Sequence, residues 1–327
     1  MRSRDRGAAL LAAMLTVALV ATFAAAALWQ QWRSVEVEAA ERARVQAAWV
    51  LTGALDWARL VLREDGRSGG PDHLGEPWAV PLREARLSSF LAADRSNTAD
   101  TGPEVLEAFL SGQITDLQSK LNATNLVAEG KVSERDLRSF ARLFELLGLP
   151  ASELDRLAEN LRFALDTSGS NRSSPMAPLV PQQVEQLVWL GLSESTVAAL
   201  QPYVTVLPTG NTWVNLNTAS AEVIYASLEA LSMADAQRLV TARESSFFRT
   251  VADAKNAIGA PDAAFADGQV NVNVSSRFFE IRSRLRLDQL VVEERAVVQR
   301  DGLDVRILSR QRVTPEVAAT APEAARR

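Results

Sequence analysis

An uninterrupted apolar stretch stands near the start of the chain. Residues 8–28 contain no charged side chain, and their only hydroxyl groups belong to Thr16 and Thr22. About 20 apolar residues are enough to cross a bilayer as an α-helix. Trp29 and Trp32 follow, where aromatic residues are typical of the membrane interface. Because three arginines and one aspartate precede the stretch, the pattern predicts a single transmembrane helix with a cytoplasmic N-terminus.

The helical pattern continues beyond the apolar stretch. Residues 35–62 contain no proline and are rich in strong helix formers. Apolar side chains recur there at steps of three and four residues, as on one face of a helix. The glycines of residues 66–70 and Pro71 end the pattern. We predict one helix from about Ala8 to Leu62, roughly 80 Å long at 1.5 Å per residue. The alternative is a membrane helix followed by a separate amphipathic helix.

The N-terminus fits three classes of segment. A cleaved secretory signal would use the small residues Ala24 to Ala27, although its apolar region usually spans only about 7–15 residues. A generic signal anchor needs only the apolar length. A prepilin-type anchor is favoured by the polar-to-apolar junction Arg6-Gly7-Ala8, because a glycine without Cβ lets a protease approach the backbone closely.

Strand patterns occur in two separate parts of the chain. Residues 105–121 are strand-like, with Ser111-Gly112 as an expected turn. Residues 278–312 alternate apolar side chains with arginines, and the alternation predicts a sheet with one solvated face. Asp301-Gly302 between apolar runs is a hairpin signal. Residues 313–327 are rich in Ala, Pro and Glu, which is typical of a disordered tail.

A helical block, about residues 133–266, separates the two strand regions. Expected N-caps ahead of its periodic apolar runs are Ser133, Ser152, Ser193, Thr218 and Ser232. Residues 184–200 align with 223–239, which predicts two short helix-turn-helix units. Residues 171–181 read as a linker. Since neither strand region makes a stable sheet alone, we expect the two regions to pair across a helical insertion.

Composition excludes several classes of function. The chain has 327 residues, a formal charge of -5 and no cysteine, so disulfides and thiolate metal sites are absent. An acidic balance gives no electrostatic footprint for nucleic acid. His73 is the single histidine and lies beside Asp72; we interpret it as an exposed loop residue rather than part of a hydrolase. P-loop, dinucleotide and nucleophile-elbow motifs do not appear in the required context.

Several ordered motifs carry a resemblance to a known family. The motifs are Arg6-Gly7-Ala8-Ala9-Leu10-Leu11, Leu74-Gly75-Glu76-Pro77-Trp78-Ala79, Ile114-Thr115-Asp116-Leu117-Gln118 with Asn122 and Asn125-Leu126, Tyr203 to Pro208, and Val214-Asn215-Leu216-Asn217-Thr218-Ala219. In this order they resemble the protein K family of minor pseudopilins in type II secretion systems. The resemblance spans nearly the whole chain except its tail.

The resemblance implies an α+β pseudopilin fold, in which a long N-terminal helix packs on an antiparallel sheet. It implies a large all-helical insertion with helix-hairpin-helix-like units. The implied ranges are a leader at 1–7, a transmembrane segment at 8–28, the helix continuation and first strands at 29–130, the insertion at 131–275, the last strands at 276–312, and a tail at 313–327.

The resemblance also implies a role and partners. A prepilin peptidase would cut between Gly7 and Ala8, leaving a single-pass inner-membrane protein with most of its chain in the periplasm. The subunit would stand at the tip of the pseudopilus with minor pseudopilins I and J and other pseudopilus subunits, and would help to export folded proteins. No catalytic residue is implied. A generic membrane-anchored periplasmic scaffold with a helix-hairpin-helix-like interaction domain is the alternative.

Two features modify the resemblance. Most pseudopilins carry a glutamate five residues into the mature chain, and Ala12 stands there instead, as in protein K. A subunit with no neighbour above it has no amine to pair with such a carboxylate. Some relatives are associated with calcium, but residues 164–178 offer only Asp166 as a carboxylate, whereas calcium needs six to eight oxygen ligands. We therefore expect no metal or other cofactor.

A resemblance to helix-hairpin-helix modules also makes nucleic-acid binding a candidate function. Residues 214–253 resemble such modules, which bind DNA phosphates through backbone N–H groups of a glycine-bearing hairpin. The hairpin around Leu231-Ser232-Met233 has no glycine. With the acidic balance and the outward topology, this favours a protein-contact scaffold and no nucleic-acid partner.

Overall fold

The computed structural model describes residues 4–87, 108–166, 168, 177–265, 270–287 and 290–313, without the side chains of 4–9, 262 and 263. Its α-helices are α1 (Arg4–Ser68), α2 (Glu134–Leu146), α3 (Ala151–Leu165), α4 (Glu194–Leu200), α5 (Ala221–Ser227), α6 (Met233–Ser245) and α7 (Val251–Ile258). Its 3-10 helices are Pro77–Ala79, Leu117–Ser119, Ala123–Leu126, Val184–Leu190 and Asp262–Phe265. Its strands are β1 (Leu82–Arg86), β2 (Ala108–Asp116), β3 (Leu121–Asn122), β4 (Val127–Ala128), β5 (Lys131–Val132), β6 (Val204–Thr205), β7 (Val214–Asn215), β8 (Val272–Asn273), β9 (Phe278–Leu287), β10 (Leu290–Asp301) and β11 (Asp304–Val313).

The N-terminal helix is a single continuous element. Helix α1 runs unbroken from Arg4 to Ser68, so the expected long helix is confirmed and the two-helix alternative is wrong. Gly69 and Gly70 follow with φ of 67° and 117°. A left-handed backbone carries little steric cost for glycine, and this conformation stops the helix before Pro71.

The two strand regions meet in one antiparallel sheet, as expected. Its order is β1-β2-β9-β10-β11, and β2 pairs with β9 across the whole insertion. The expected turn at Ser111-Gly112 is wrong, because both residues pair within β2. A Cβ on Gly112 would lie 3.2 Å from the carbonyl oxygen of Arg282, so glycine here permits a close strand approach. The expected hairpin at Asp301-Gly302 is confirmed between β10 and β11.

Helix α1 packs on one face of this sheet. Leu55 and Leu62 are buried against Phe279, Ile281 and Val298. Burying a leucine side chain fully stabilises a fold by about 1.5–3 kcal/mol, so these contacts fix the helix on the sheet. On the opposite face of β9, Arg282 and Arg284 are exposed and Arg286 is half-buried, so the expected solvated face is confirmed for this part of the strand.

The insertion between β2 and β9 has its own apolar core. Its largest buried side chains include Phe140, Phe144, Leu157 and Leu161. The domain limits given above stay predictions. Residues 171–176 of the expected linker and 314–327 of the expected tail lie outside the described residues.

Three of the five expected N-caps are confirmed. Ser133, Ser193 and Ser232 each accept a backbone N–H bond at the start of a helix. The expected cap at Ser152 is wrong, because Pro150 stands at the cap position and α3 begins at Ala151, two residues before the start that a cap at Ser152 would give. The expected cap at Thr218 is also wrong, because Ser220 caps α5. The hydroxyl of Thr218 instead bonds Asp116, on a different part of the fold.

The two expected helix-turn-helix units are present. The second unit pairs α5 with α6. The first pairs α4 with Val184–Leu190, which is a 3-10 helix rather than an α-helix. Gly191, with φ of 97°, turns the chain between its two helices.

The insertion stands at the end of the sheet away from residues 10–42 of α1, whose side chains are all exposed. The chain leaves the sheet after Asp116 and returns at Phe278, and Asp116 pairs with Phe279. Phe279 packs near Leu62, close to the C-terminal end of α1. Exit and return therefore lie together at the end of the sheet nearest the C-terminal end of α1, where the insertion begins. We call the sheet, the part of α1 packed on it and the insertion the head.

Candidate assembly surface and its supporting junction

The N-terminal half of α1 is a free rod. Every side chain of residues 10–42 is exposed, a length of about 50 Å at 1.5 Å per residue. The rod includes a stretch with a mean hydropathy of 2.3, none of which is buried in the protein. An apolar helix that is covered by none of the described residues is suited to lipid or to the helices of other subunits.

The polar groups inside this rod are satisfied by the helix itself. The hydroxyls of Thr16 and Thr22 donate to the carbonyl oxygens of Ala13 and Leu19, each at 2.8 Å. A polar group left unsatisfied in lipid costs several kcal/mol. These two threonines therefore add no such cost to a membrane position.

A charged band follows the apolar part. Arg42 bonds Glu38 at 2.5 Å and Arg44 bonds Glu41 at 2.8 Å, all with exposed side chains. Exposed ion pairs contribute only about 0–1 kcal/mol, so little energy is lost when such groups exchange partners. The band is thus available for contacts between subunits.

A buried polar junction attaches the insertion to the sheet. Asp116, at the end of β2, accepts hydrogen bonds from the hydroxyls of Ser276 and Thr218, both at 2.6 Å. It also accepts from Asn215 Nδ2 at 3.1 Å and from the N–H of Gln118 at 2.7 Å. Burial raises the pKa of Asp116 to about 6 despite these donors.

An ion cluster extends this junction to α1. The guanidinium of Arg300 on β10 bonds Asp65 on α1 and Asp72 in the following loop. Asp72 also accepts from the N–H of Ser276 at 2.6 Å. Burial raises the pKa of Asp72, and the positive charge of Arg300 opposes that rise. Helix, loop, hairpin and insertion are therefore joined through one guanidinium.

Amide side chains of the recognised motifs complete the junction. Gln118 donates to the carbonyl of Trp213 and accepts from the N–H of Arg277, at 2.9 and 2.6 Å. Asn122 accepts from the N–H of Leu207 at 3.0 Å. The motif amides thus pair with backbone groups that lack a sheet or helix partner.

A second set of motif amides works in the same way inside the insertion. Asn125 donates to the carbonyl of Thr212 at 2.7 Å, and Asn217 bonds both backbone groups of Phe248. Sequence reasoning used these residues only to recognise a family and missed their structural role. The available signal was the run of Asn and Gln inside otherwise apolar segments.

The loop of His73 differs from the expectation. His73 is half-buried rather than exposed, and its ring stacks on Phe247 with centroids 3.9 Å apart. Its Nδ1 accepts the N–H of Gly75 at 3.1 Å. The carboxylate of Asp72 faces Arg300 and Ser276 instead of this ring. The two neighbours are thus used in separate contacts.

The carboxylate of Glu76, three residues after His73, is held by hydrogen bonds from its neighbours. Glu76 accepts from the indole N–H of Trp78 at 2.7 Å and from the N–H of His73 at 2.9 Å. Burial raises the pKa of Glu76 to about 7. The carboxylate oxygens of Asp65, Asp72 and Glu76 lie within 4.8 Å of one another. The guanidinium of Arg300 bonds Asp65 and Asp72, so this acidic cluster already has a cation from the protein's own side chains.

Other predicted site residues stay predictions. Gly7 and Ala8 lie within α1, outside the described side chains, so leader cleavage between them is untested. Residues 164–178, weighed for calcium, are described only in part, and the expectation of no metal is likewise untested. In the helix hairpin, the N–H groups of Leu231 and Ser232 bond Leu228 and Asp235. These two donors are therefore not directed at a phosphate.

Comparison with known proteins supports the resemblance to protein K. Two family models match, both described as type II secretion system (T2SS), protein K: the first-domain model covers residues 119–209 and the other covers 214–274. Type II secretion system protein K of Pseudomonas aeruginosa is 28% identical over 309 residues, covering 88% of this chain and 86% of the relative. The chain is similar to protein K over most of its length. The relative from Pectobacterium carotovorum subsp. carotovorum is 24% identical, covering 95% of this chain and 97% of its own.

A solved structure shows the same fold as this chain. It is a chain in the crystal structure of the GspK-GspI-GspJ complex from the enterotoxigenic Escherichia coli type 2 secretion system. The TM-score is 0.65 at 17% identity, covering 84% of this chain and 98% of the other. The α+β pseudopilin fold with a long N-terminal helix on an antiparallel sheet is thereby confirmed.

Proposed function

We propose that this chain is a member of the protein K family and the tip subunit of a type II secretion pseudopilus. It starts assembly together with minor pseudopilins I and J, and the pseudopilus then helps to export folded proteins from the periplasm. Its role is structural rather than catalytic. The observation that carries the proposal is the free apolar rod of residues 10–42, continuous with a helix that is packed on a rigid head.

The position of the insertion supports the tip assignment. It stands at the end of the head away from the rod, so a further subunit stacked there would meet the insertion instead of a free sheet end. The junction at Asp116 holds it in place with four hydrogen bonds. The crystallised complex named above contains GspI and GspJ, which supports proteins I and J as the partners.

The membrane topology follows from the same rod. Residues 8–28 span the inner membrane once, and the basic residues before them hold the N-terminus in the cytoplasm. A prepilin peptidase cuts between Gly7 and Ala8 there, which leaves the apolar helix attached to the head. The alternative of a generic anchored scaffold requires no such cut.

A processing assay distinguishes the two functions. The full chain is expressed with and without the prepilin peptidase, and its mass is measured. We expect loss of residues 1–7 only when the peptidase is present, and we expect Gly7→Ala to block that loss. Gly53→Ala, a second glycine of the same helix, should be cut normally. An unchanged mass in both strains, or a mature chain that begins near Leu28, contradicts the proposal.

Two further measurements test the position and the partners. An epitope inserted between the exposed residues Glu129 and Gly130 should be labelled at one end of each pseudopilus. Labelling along the whole fibre would reject the tip assignment. The full chain in detergent should copurify with proteins I and J together. Retention of I with J but not of this chain would reject the partner assignment.

A further inference from the structure

A polar cleft lies between the sheet and the insertion. Its volume is about 540 Å³. One wall is the sheet face opposite α1, with Glu280, Arg282 and Arg295. The other wall is the segment 182–185 together with residues 201–206 of the insertion. We name it the sheet–insertion cleft, and it is separate from the apolar rod and from the junction at Asp116.

Cations converge on a single carboxylate in this cleft. Arg282 Nε donates to Glu280 Oε1 at 2.6 Å, and Arg295 Nε lies 3.3 Å from Glu280 Oε2. The ammonium of Lys120 is beside them and donates to the carbonyl oxygen of Gln201 at 2.8 Å. Because that carbonyl carries no net charge, the charge of Lys120 is not neutralised by it.

The charge count leaves the cleft positive. Its cations are Lys120, Arg282 and Arg295, and its carboxylates are Glu280 and Glu185. Glu185 on the opposite wall already accepts a hydrogen bond from Gln201 Nε2 at 2.8 Å. The chain as a whole is acidic, with a net charge of -5, so this local excess is not a matter of composition. A further carboxylate from outside would balance it.

The size and the other lining groups indicate a peptide rather than a small anion. The cleft is lined by five glutamines: Gln113, Gln182, Gln183, Gln201 and Gln311. A side-chain amide both donates and accepts, so it can pair with the N–H and C=O groups of an extended backbone. Leu117, Val206 and Val297 add apolar surface for side chains of such a segment.

We propose that the sheet–insertion cleft binds an extended acidic segment of a partner polypeptide. A carboxylate of that segment lies among Lys120, Arg282 and Arg295, and its backbone pairs with the glutamines. This site adds to the proposed assembly role and does not depend on it, because the cleft is formed entirely by the head of this chain.

Binding of a defined peptide tests the proposal. The probe is a fluorescein-labelled heptapeptide in which glutamate alternates with valine, titrated with the full chain in detergent at low ionic strength. We expect saturable binding that weakens at least tenfold when glutamine replaces glutamate in the probe. Lys120→Gln should also weaken binding about tenfold, since tenfold corresponds to about 1.4 kcal/mol for one lost charge contact.

A matched variant controls for general electrostatics. Arg284→Gln removes an exposed arginine from the same strand, two residues beyond Arg282 and outside the cleft lining. It should keep the affinity within twofold. If thermal melting shows that Lys120→Gln is unfolded, Arg282→Gln, whose side chain is 49% exposed, takes its place.

Several results would overturn the proposal. These are failure of the glutamate peptide to bind, equal binding of the glutamine peptide, and an equal loss in Arg284→Gln and Lys120→Gln. Displacement of the peptide by millimolar sodium acetate would show that a free carboxylate is sufficient, and it would overturn the peptide assignment.

Discussion

The carboxylate of Asp116 accepts a 2.6 Å hydrogen bond from the hydroxyl of Ser276, across a sequence separation of 160 residues. Asp116 is the last residue of β2, and Ser276 lies just before the start of β9. The bond therefore closes the insertion at its base. Leaving a buried polar group unsatisfied costs about 1–3 kcal/mol, so this contact fixes how the chain enters and leaves the sheet.

The first prediction concerns pH. Burial raises the pKa of Asp116 from 3.8 to about 6 in the folded chain. Such a carboxyl contributes stability fully below pH about 4 and loses that contribution as the pH rises through about 6. The shift corresponds to about 3 kcal/mol. We expect the free energy of unfolding of the wild type, relative to Asp116→Asn, to fall by about that amount between pH 4 and pH 7.

Denaturant unfolding at each pH measures this difference, since groups common to both proteins cancel. Asp304→Asn is the control, because Asp304 is exposed at the β10–β11 hairpin. The free energy of unfolding of the wild type, relative to Asp304→Asn, should not show the fall between pH 4 and pH 7 that is expected relative to Asp116→Asn. A constant difference between the wild type and Asp116→Asn would refute the assignment of this pH dependence to Asp116.

The second prediction concerns the ion cluster. Arg300→Met leaves Asp65 and Asp72 without their cation, and the side chain of Arg300 is only 11% exposed. Removing one partner of a buried pair costs about 3–5 kcal/mol. We expect a large fall in the midpoint of thermal unfolding. Arg306→Met, whose side chain is 70% exposed, should cost less than about 1 kcal/mol.

A compensating variant separates charge from packing at this cluster. Changing Asp65 and Asp72 to asparagine together with Arg300→Met removes the uncompensated charges. Part of the lost stability should return. If it does not, the cluster contributes through shape and not through charge.

The third prediction uses two glycines of α1. A Cβ on Gly66 would lie 2.8 Å from the carbonyl oxygen of Gly302, so Gly66→Ala must move the helix or the hairpin. Overpacking of this kind costs about 1–3 kcal/mol. Within the described part of the chain, no atom lies within 4 Å of a Cβ placed on Gly53, and Gly53→Ala should stabilise by up to about 1 kcal/mol. Equal effects in thermal unfolding would contradict the close helix–hairpin contact.

The fourth prediction concerns the anchor. Leu19 is 53% exposed and lies on the free rod, within the apolar stretch that the described residues leave unburied. An arginine at the centre of a membrane helix costs about 2.5–3.5 kcal/mol. Leu19→Arg should therefore increase the fraction of the chain released from membranes by alkaline carbonate. Val37→Arg, beyond the apolar stretch, should leave that fraction unchanged. Equal release of both variants would exclude residues 8–28 as the span.

The sequence by itself determined the local elements of this protein. Apolar length and helix formers specified α1, and the alternation with Asp301-Gly302 specified the last hairpin, because these signals act over a few residues. It missed that Ser111-Gly112 is inside a strand. Glycine is typical of turns, and its use for close strand contact depends on a neighbour that is distant in the chain.

Only the tertiary structure decided how these elements are joined. Thr218 has the sequence signature of an N-cap, yet its hydroxyl bonds Asp116. Arg300 shows in the sequence only as an arginine ahead of a turn, and folding surrounds it with Asp65 and Asp72. A buried polar group must find its partner wherever the fold provides one. That requirement depends on packing across the whole chain, and no local pattern of residues expresses it.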